Sequence, residues 1–142
     1  MTTAIDTNVI VALWDAEDAL NRPARVALEA AQNEGGLVII APVYAELMAG
    51  PGRSEKFIDQ FCEDTHIAVE WHLEKDVWRA AGAAFQKYAA QRRRQRDSEV
   101  RRILADFVIG AHAWVSGYRL LTLDDRLYRA AFPKLQIVRV EE

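Results

Sequence analysis

The chain has 142 residues, 51% hydrophobic and 27% charged, with seven Gly, four Pro and one Cys, which predicts one compact domain over residues 1–142. Without a partner thiol, Cys62 excludes a disulfide scaffold, a multi-thiolate zinc site and an iron–sulfur cluster, and it fits a reducing cytoplasm. The net charge of −3 argues against a uniformly basic nucleic-acid binder, but it hides an asymmetry: residues 92–102 hold six Arg against Asp97 and Glu99, leaving 12 basic and 19 acidic side chains elsewhere. The N-terminus lacks the basic start and apolar run of a secretion signal. No stretch approaches the ~18 uninterrupted apolar residues of a membrane span, so the expectation is a soluble cytoplasmic protein with no membrane partner.

Short apolar runs predict strands at residues 2–5, 37–40, 66–69, 119–122 and 136–140. Helical periodicity between them predicts helices at 9–16, 23–33, 43–49, 53–63, 74–93, 100–115 and 127–131. Pro23 suits a first helical turn, and Gly35-Gly36, Gly50-Pro51-Gly52 and Gly117 are stops. Asp97 and Ser98 are N-cap residues that break a long helical stretch within the arginine segment. Alternating strand and helix predicts an α/β fold with a central parallel sheet of about five short strands covered on both faces.

Four carboxylates fall at related places in this pattern. Asp6 ends the first strand, Glu46 lies in the helix after the second, Asp106 opens the helix after the arginine segment, and Asp124 follows the fourth strand by two residues. In an open parallel sheet such positions gather at the carboxyl edge of the strands, where ligands bind. Four carboxylates there repel one another unless a cation sits among them. Oxygen donors without a cysteine or histidine cluster favour a hard ion, Mg²⁺ or Mn²⁺, and that arrangement suits phosphodiester hydrolysis. Each acid also has an ordinary role open to it: Asp6 as a helix cap, Glu46 as a solvated residue, Asp124 and Asp125 as caps of the last helix. On one face of the Asp106 helix, Gly110, Ala113 and Gly117 leave room for a ligand or for close packing of another helix.

The runs Ile5-Asp6-Thr7-Asn8-Val9, Pro42-Val43-Tyr44-Ala45-Glu46-Leu47, Asp106-Phe107-Val108-Ile109-Gly110-Ala111-His112-Ala113 and Leu120-Leu121-Thr122-Leu123-Asp124 together resemble a PIN-domain ribonuclease, and more narrowly the VapC-like toxins of type II toxin–antitoxin pairs. The resemblance spans residues 3–140. It implies a PIN-like fold and a Mg²⁺- or Mn²⁺-dependent endoribonuclease that uses water as nucleophile and leaves a 5′-phosphate. It places the catalytic acids at Asp6, Glu46, Asp106 and Asp124, with Asp6, Asp106 and Asp124 as metal ligands and Asn8 and Thr122 lining the pocket. Asp125 stands beside Asp124 as the alternative fourth acid. A homodimer and inhibition by a VapB-like antitoxin are further implications.

Arg92, Arg93, Arg94, Arg96, Arg101 and Arg102 are the natural contacts for RNA phosphates, with a solvated helix end or an antitoxin contact as the competing readings. His66 and His72 read as surface or capping residues and His112 as packed in or near the core. A chelator-resistant ribonuclease using His and the 2′-hydroxyl is the alternative they leave. Trp14, Trp78 and Trp114 fall in helical apolar patterns that predict core or interface packing, and Trp71 falls outside a predicted helix. A non-cleaving nucleic-acid or protein binding module, a housekeeping RNA-processing nuclease and a small-molecule phosphatase are the other functional readings.

Overall fold

A computed structural model describes residues 1–95 and 104–141. The first half runs β1 (Thr3–Ile5), α1 (Thr7–Leu13), α2 (Asn21–Glu34), β2 (Leu37–Ile40), α3 (Ala41–Leu47), α4 (Glu55–Thr65) and β3 (Ile67–Glu70). The second runs α5 (Lys75–Gln95), α6 (Leu104–Ser116), β4 (Arg119–Thr122), α7 (Arg126–Ala131) and β5 (Ile137–Arg139). All five predicted strands and all seven predicted helices are present. The predicted cap at Asp97 and Ser98, and Arg96, Arg101 and Arg102, lie outside the described residues.

The strands form one sheet in the order β3-β2-β1-β4-β5, and every pairing is parallel. Parallel strands covered on both faces need apolar side chains in both directions, and β2 reads Leu37-Val38-Ile39-Ile40 with all four buried. The outermost strands β3 and β5 are partly exposed, as edges are. Strand order reverses at β1, which pairs with β2 on one side and β4 on the other. The crevice beyond the carboxyl ends of β1 and β4 is therefore the topological switch point, the place where open α/β sheets bind ligands.

Local chemistry sets the helix boundaries. Ser54 caps α4, its side chain accepting from the Phe57 N–H at 3.1 Å, so the helix starts at Glu55 instead of Arg53. Pro42 sits in the first turn of α3, where its missing N–H costs nothing, and the helix begins two residues before the expected start. The chain turns out of α6 at Gly117, whose φ of 73° favours glycine.

Helix α6 differs from the others in being buried from Phe107 to Ala113 without a break. A helix that is apolar all round belongs inside a fold. Phe85 and Tyr88 of α5 lie against Phe107, with ring centroids 4.9 and 5.4 Å away. On the opposite flank, a Cβ at Gly110 would stand 2.4 Å from Phe132 and 3.0 Å from Tyr128. Gly110 is thus the close-packing glycine of the α6 and α7 contact, and the room it makes is filled by protein instead of ligand. His112 is buried as expected, and its Nε2–H donates to Glu70 Oε2 at 2.7 Å, joining α6 to the edge strand β3.

Candidate functional site

The carboxyl end of β1 delivers Asp6 into the switch-point crevice. It is 5% exposed. Although it occupies the N-cap of α1, its side chain makes no capping bond; Oδ2 instead accepts from the Thr122 hydroxyl at 2.8 Å and the Tyr128 hydroxyl at 2.9 Å. Burial pushes the Asp6 carboxyl above the usual carboxylate range, the two hydroxyl donors oppose that shift, and the charge of Glu46 adds to it.

Thr122 ties the neighbouring strand end to the same group. Its hydroxyl lies 3.2 Å from both the main-chain oxygen and the main-chain nitrogen of Asp124, and the Asn8 side-chain amide approaches it at 3.5 Å. The Asn8 side-chain oxygen accepts from the Leu123 N–H at 3.2 Å. These bonds lock the start of α1 to the turn after β4. A cavity of about 80 Å³ opens beside them, lined by Asp6, Asn8, Asp106, Asp124, Leu127 and Tyr128.

Asp106 reaches that cavity from the first turn of α6, where the helix dipole favours a carboxylate. Asp124 lines it from the turn before α7 and also accepts from the Arg126 main-chain N–H at 3.2 Å, so cavity lining and local turn formation coexist in one side chain. Its neighbour Asp125 points elsewhere and pairs with Arg129 one turn along α7. Glu46 is half-buried on α3. It accepts from the Thr7 hydroxyl at 2.7 Å and stands near enough to Asp6 to raise that residue's pKa.

Sequence reasoning passed over Tyr128. The hydroxyl donates to Asp6, and its own pKa is driven far upward by burial first and then by the charges of Asp6, Asp106 and Glu46. No sequence signal marked it, because the partner of its hydroxyl lies 122 residues away.

Among the described residues, no three His, Cys, Asp or Glu side chains form a group able to hold a metal ion directly. The donor set around the cavity is oxygen-rich and free of sulfur. That chemistry suits Mg²⁺, which commonly binds through one or two carboxylates and keeps several waters.

The remaining candidates among the described residues do not line the cavity. Arg92, Arg93 and Arg94 form the last turn of α5, with the Arg92 guanidinium 5.8 Å from the Tyr88 ring centroid. His66 is exposed in a left-handed conformation at the end of α4, and His72 is exposed near Glu74. Trp14 packs against Phe57 and Phe61. Trp78 and Trp114 depart from core packing: they are 49% and 48% exposed, on the outer faces of α5 and α6. Among the described residues no helix is long and apolar enough to cross a membrane.

No curated protein matches the sequence. Solved structures with the same fold include a VapBC complex of Rickettsia felis bound to a promoter DNA fragment, at TM-score 0.73 and 17% identity over 99% of this chain and 100% of that one. A toxin–antitoxin complex of Klebsiella pneumoniae matches at TM-score 0.68 and 21% identity over 99% and 98% of the two chains. A Mycobacterium tuberculosis VapC toxin that cleaves the sarcin–ricin loop matches at 0.57 and 17%, over 94% and 98%. The family model of the PIN domain matches residues 3–133, a span that takes in all four acids, and with it the chain belongs to the PIN domain family.

Proposed function

We propose that this PIN-domain protein is a Mg²⁺- or Mn²⁺-dependent endoribonuclease that hydrolyses RNA phosphodiester bonds with water, serving in the cytoplasm as the toxin of a type II toxin–antitoxin pair. The observation that carries the reading is the convergence of Asp6, Asp106 and Asp124, from three distant segments, on one cavity of about 80 Å³. A VapB-like antitoxin partner is supported by the fold shared with toxins solved in antitoxin complexes. The homodimer rests on family resemblance.

In this reading Asp6, Asp106 and Asp124 would hold the ion, and Glu46, which accepts from the Thr7 hydroxyl, would add negative charge nearby. A bound divalent ion neutralises the carboxylates, attracts phosphate oxygens and lowers the pKa of the attacking water. Thr122 and Tyr128 fix the Asp6 carboxylate by donating to one oxygen, which orients it before substrate arrives. Asn8 fastens the turn that carries Asp124 through the Leu123 N–H.

Incubation of the purified protein with structured RNA and Mn²⁺ tests this directly. Products with 5′-phosphate ends, lost on chelation and in Asp106→Asn, are the expected result. RNA bound but left intact by the wild type would move the protein to the non-cleaving binding modules. Chelator-resistant cleavage leaving cyclic phosphate ends would point to metal-free chemistry.

A further inference from the structure

Two more cavities lie in line with the acidic one. The first, about 170 Å³, shares Leu127 with it and runs between α5 and α7 past Lys87, Tyr88 and Gln91. The second, about 350 Å³, shares Lys87, Ala84, Ala131 and Pro133 with the first and ends between Trp114 and Lys134. Together they make a continuous groove that leads from the aspartates along α7 to the outer face of α6.

Its charge is opposite to that of the site it leads to. Two of the chain's four lysines line the groove, and no Asp or Glu lines either of its two cavities. Among the described residues neither Lys87 nor Lys134 forms an ion pair. In a protein with 21 acidic side chains, such a segregated strip is a place for an anion. Lys87, Gln91 and Arg94 recur at helical spacing on α5, continuing the strip toward the arginine-rich end. Trp114 adds a large aromatic surface, half exposed, at the far end. Positive charge interleaved with aromatic rings along a narrow track is the pattern that holds single-stranded nucleic acid, the cations on phosphates and the rings on bases.

We infer that this groove binds the single-stranded RNA segment flanking the scissile phosphate, with Lys87 and Lys134 on its backbone and Trp114 stacked on a base. The inference rests on the nuclease reading above. Floor residues Ala80, Ala83 and Ala84 are small, so a base can enter without displacing a side chain.

The test measures binding of a short, fluorescently labelled, mixed-sequence single-stranded RNA to Asp106→Asn protein in chelator, across a salt series. Lys87→Ala and Lys134→Ala should each flatten the dependence of log affinity on log salt by about 0.7. Trp114→Ala should weaken binding roughly tenfold with little change in that slope. The same substitutions in otherwise wild-type protein should raise the RNA concentration needed for half-maximal cleavage more than they lower the maximal rate. Circular dichroism melts confirm that each variant is folded, and Lys134→Gln serves if the alanine variants melt early. If wild type cleaves RNA while all three variants bind and cut as it does, the groove assignment is wrong and the nuclease reading stands. If wild type neither binds nor cuts RNA, both fall. A shift from dimer to monomer in Trp114→Ala, with RNA affinity unchanged, would reassign the groove to an interface between copies of this chain.

Discussion

Asp6 and His112 are both buried ionisable side chains, and they are buried in opposite ways. His112, 2% exposed, meets Glu70 at 2.7 Å, with the Tyr118 hydroxyl 3.4 Å from the same carboxylate. There a potential cation faces an anion and each satisfies the other. Asp6 itself accepts from two uncharged hydroxyls, and Asp106 and Asp124 line the same cavity with Glu46 close by. The first arrangement fastens α6 to β3. The second concentrates like charge at the switch point, which costs folding energy and is useful where a cation is to be gathered.

The contrast is broken most severely at Asp6. Asp6→Asn should lower RNA cleavage by roughly 10³-fold, about 4 kcal/mol of transition-state stabilisation, in a steady-state assay with Mn²⁺. The same variant should melt a few degrees above wild type in chelator, because it removes a charge that the fold desolvates. The pH dependence follows from the raised pKa: stability due to the protonated carboxyl is complete below the ordinary Asp range and is lost as pH rises through the folded-state value. The gap between variant and wild type in thermal melts should therefore widen from acid toward neutral pH.

His112→Ala is the mirror experiment. It strands Glu70 and opens a cavity in α6, and because Glu70 is about one-third exposed the loss should be near the lower end for a broken buried pair, about 2–3 kcal/mol in denaturant unfolding. Activity per folded molecule should fall far less than in Asp6→Asn.

Thr122→Val keeps the shape of the strand end but deletes the hydroxyl shared by Asp6 and Asp124. Cleavage should drop roughly tenfold, equal to about 1.4 kcal/mol, as the carboxylate loses a fixed orientation. Arg129→Ala marks the bottom of the scale. It removes the pair that an exposed Arg129 makes with the largely covered Asp125 and should change unfolding free energy by less than about 1 kcal/mol, leaving cleavage untouched.

Much of the architecture was legible because strand and helix patterns here are strong. Residues 37–40 are apolar without interruption, and residues 119–122 precede a turn marked by two aspartates. The grouping of Asp6 and Asp124 followed from where strands end, and that of Asp106 from where a helix starts, which topology converts into proximity. Three features lay beyond that logic. Tyr128 was hidden because a tyrosine in a short helix reads as core, and its hydroxyl becomes meaningful once Asp6 is seen beneath it. Gly110 left two readings open, space for a ligand or close packing of another helix, and the ring of Phe132 against it decides for packing. Trp114 read as core or interface packing, and its half-exposed ring removes the core reading, which periodicity could not do because it records which residues share a face and not which face meets solvent.

The pairing of β1 with β4 also bears on how such a chain is made. Asp6 leaves the ribosome well before the groups that orient it, Thr122 and Tyr128, which follow 116 and 122 residues later. The cavity therefore cannot be assembled on a partial product. A chain stalled before Thr122 carries the aspartate without its clamp, so the acidic cavity takes shape only after β4 and α7 have been made.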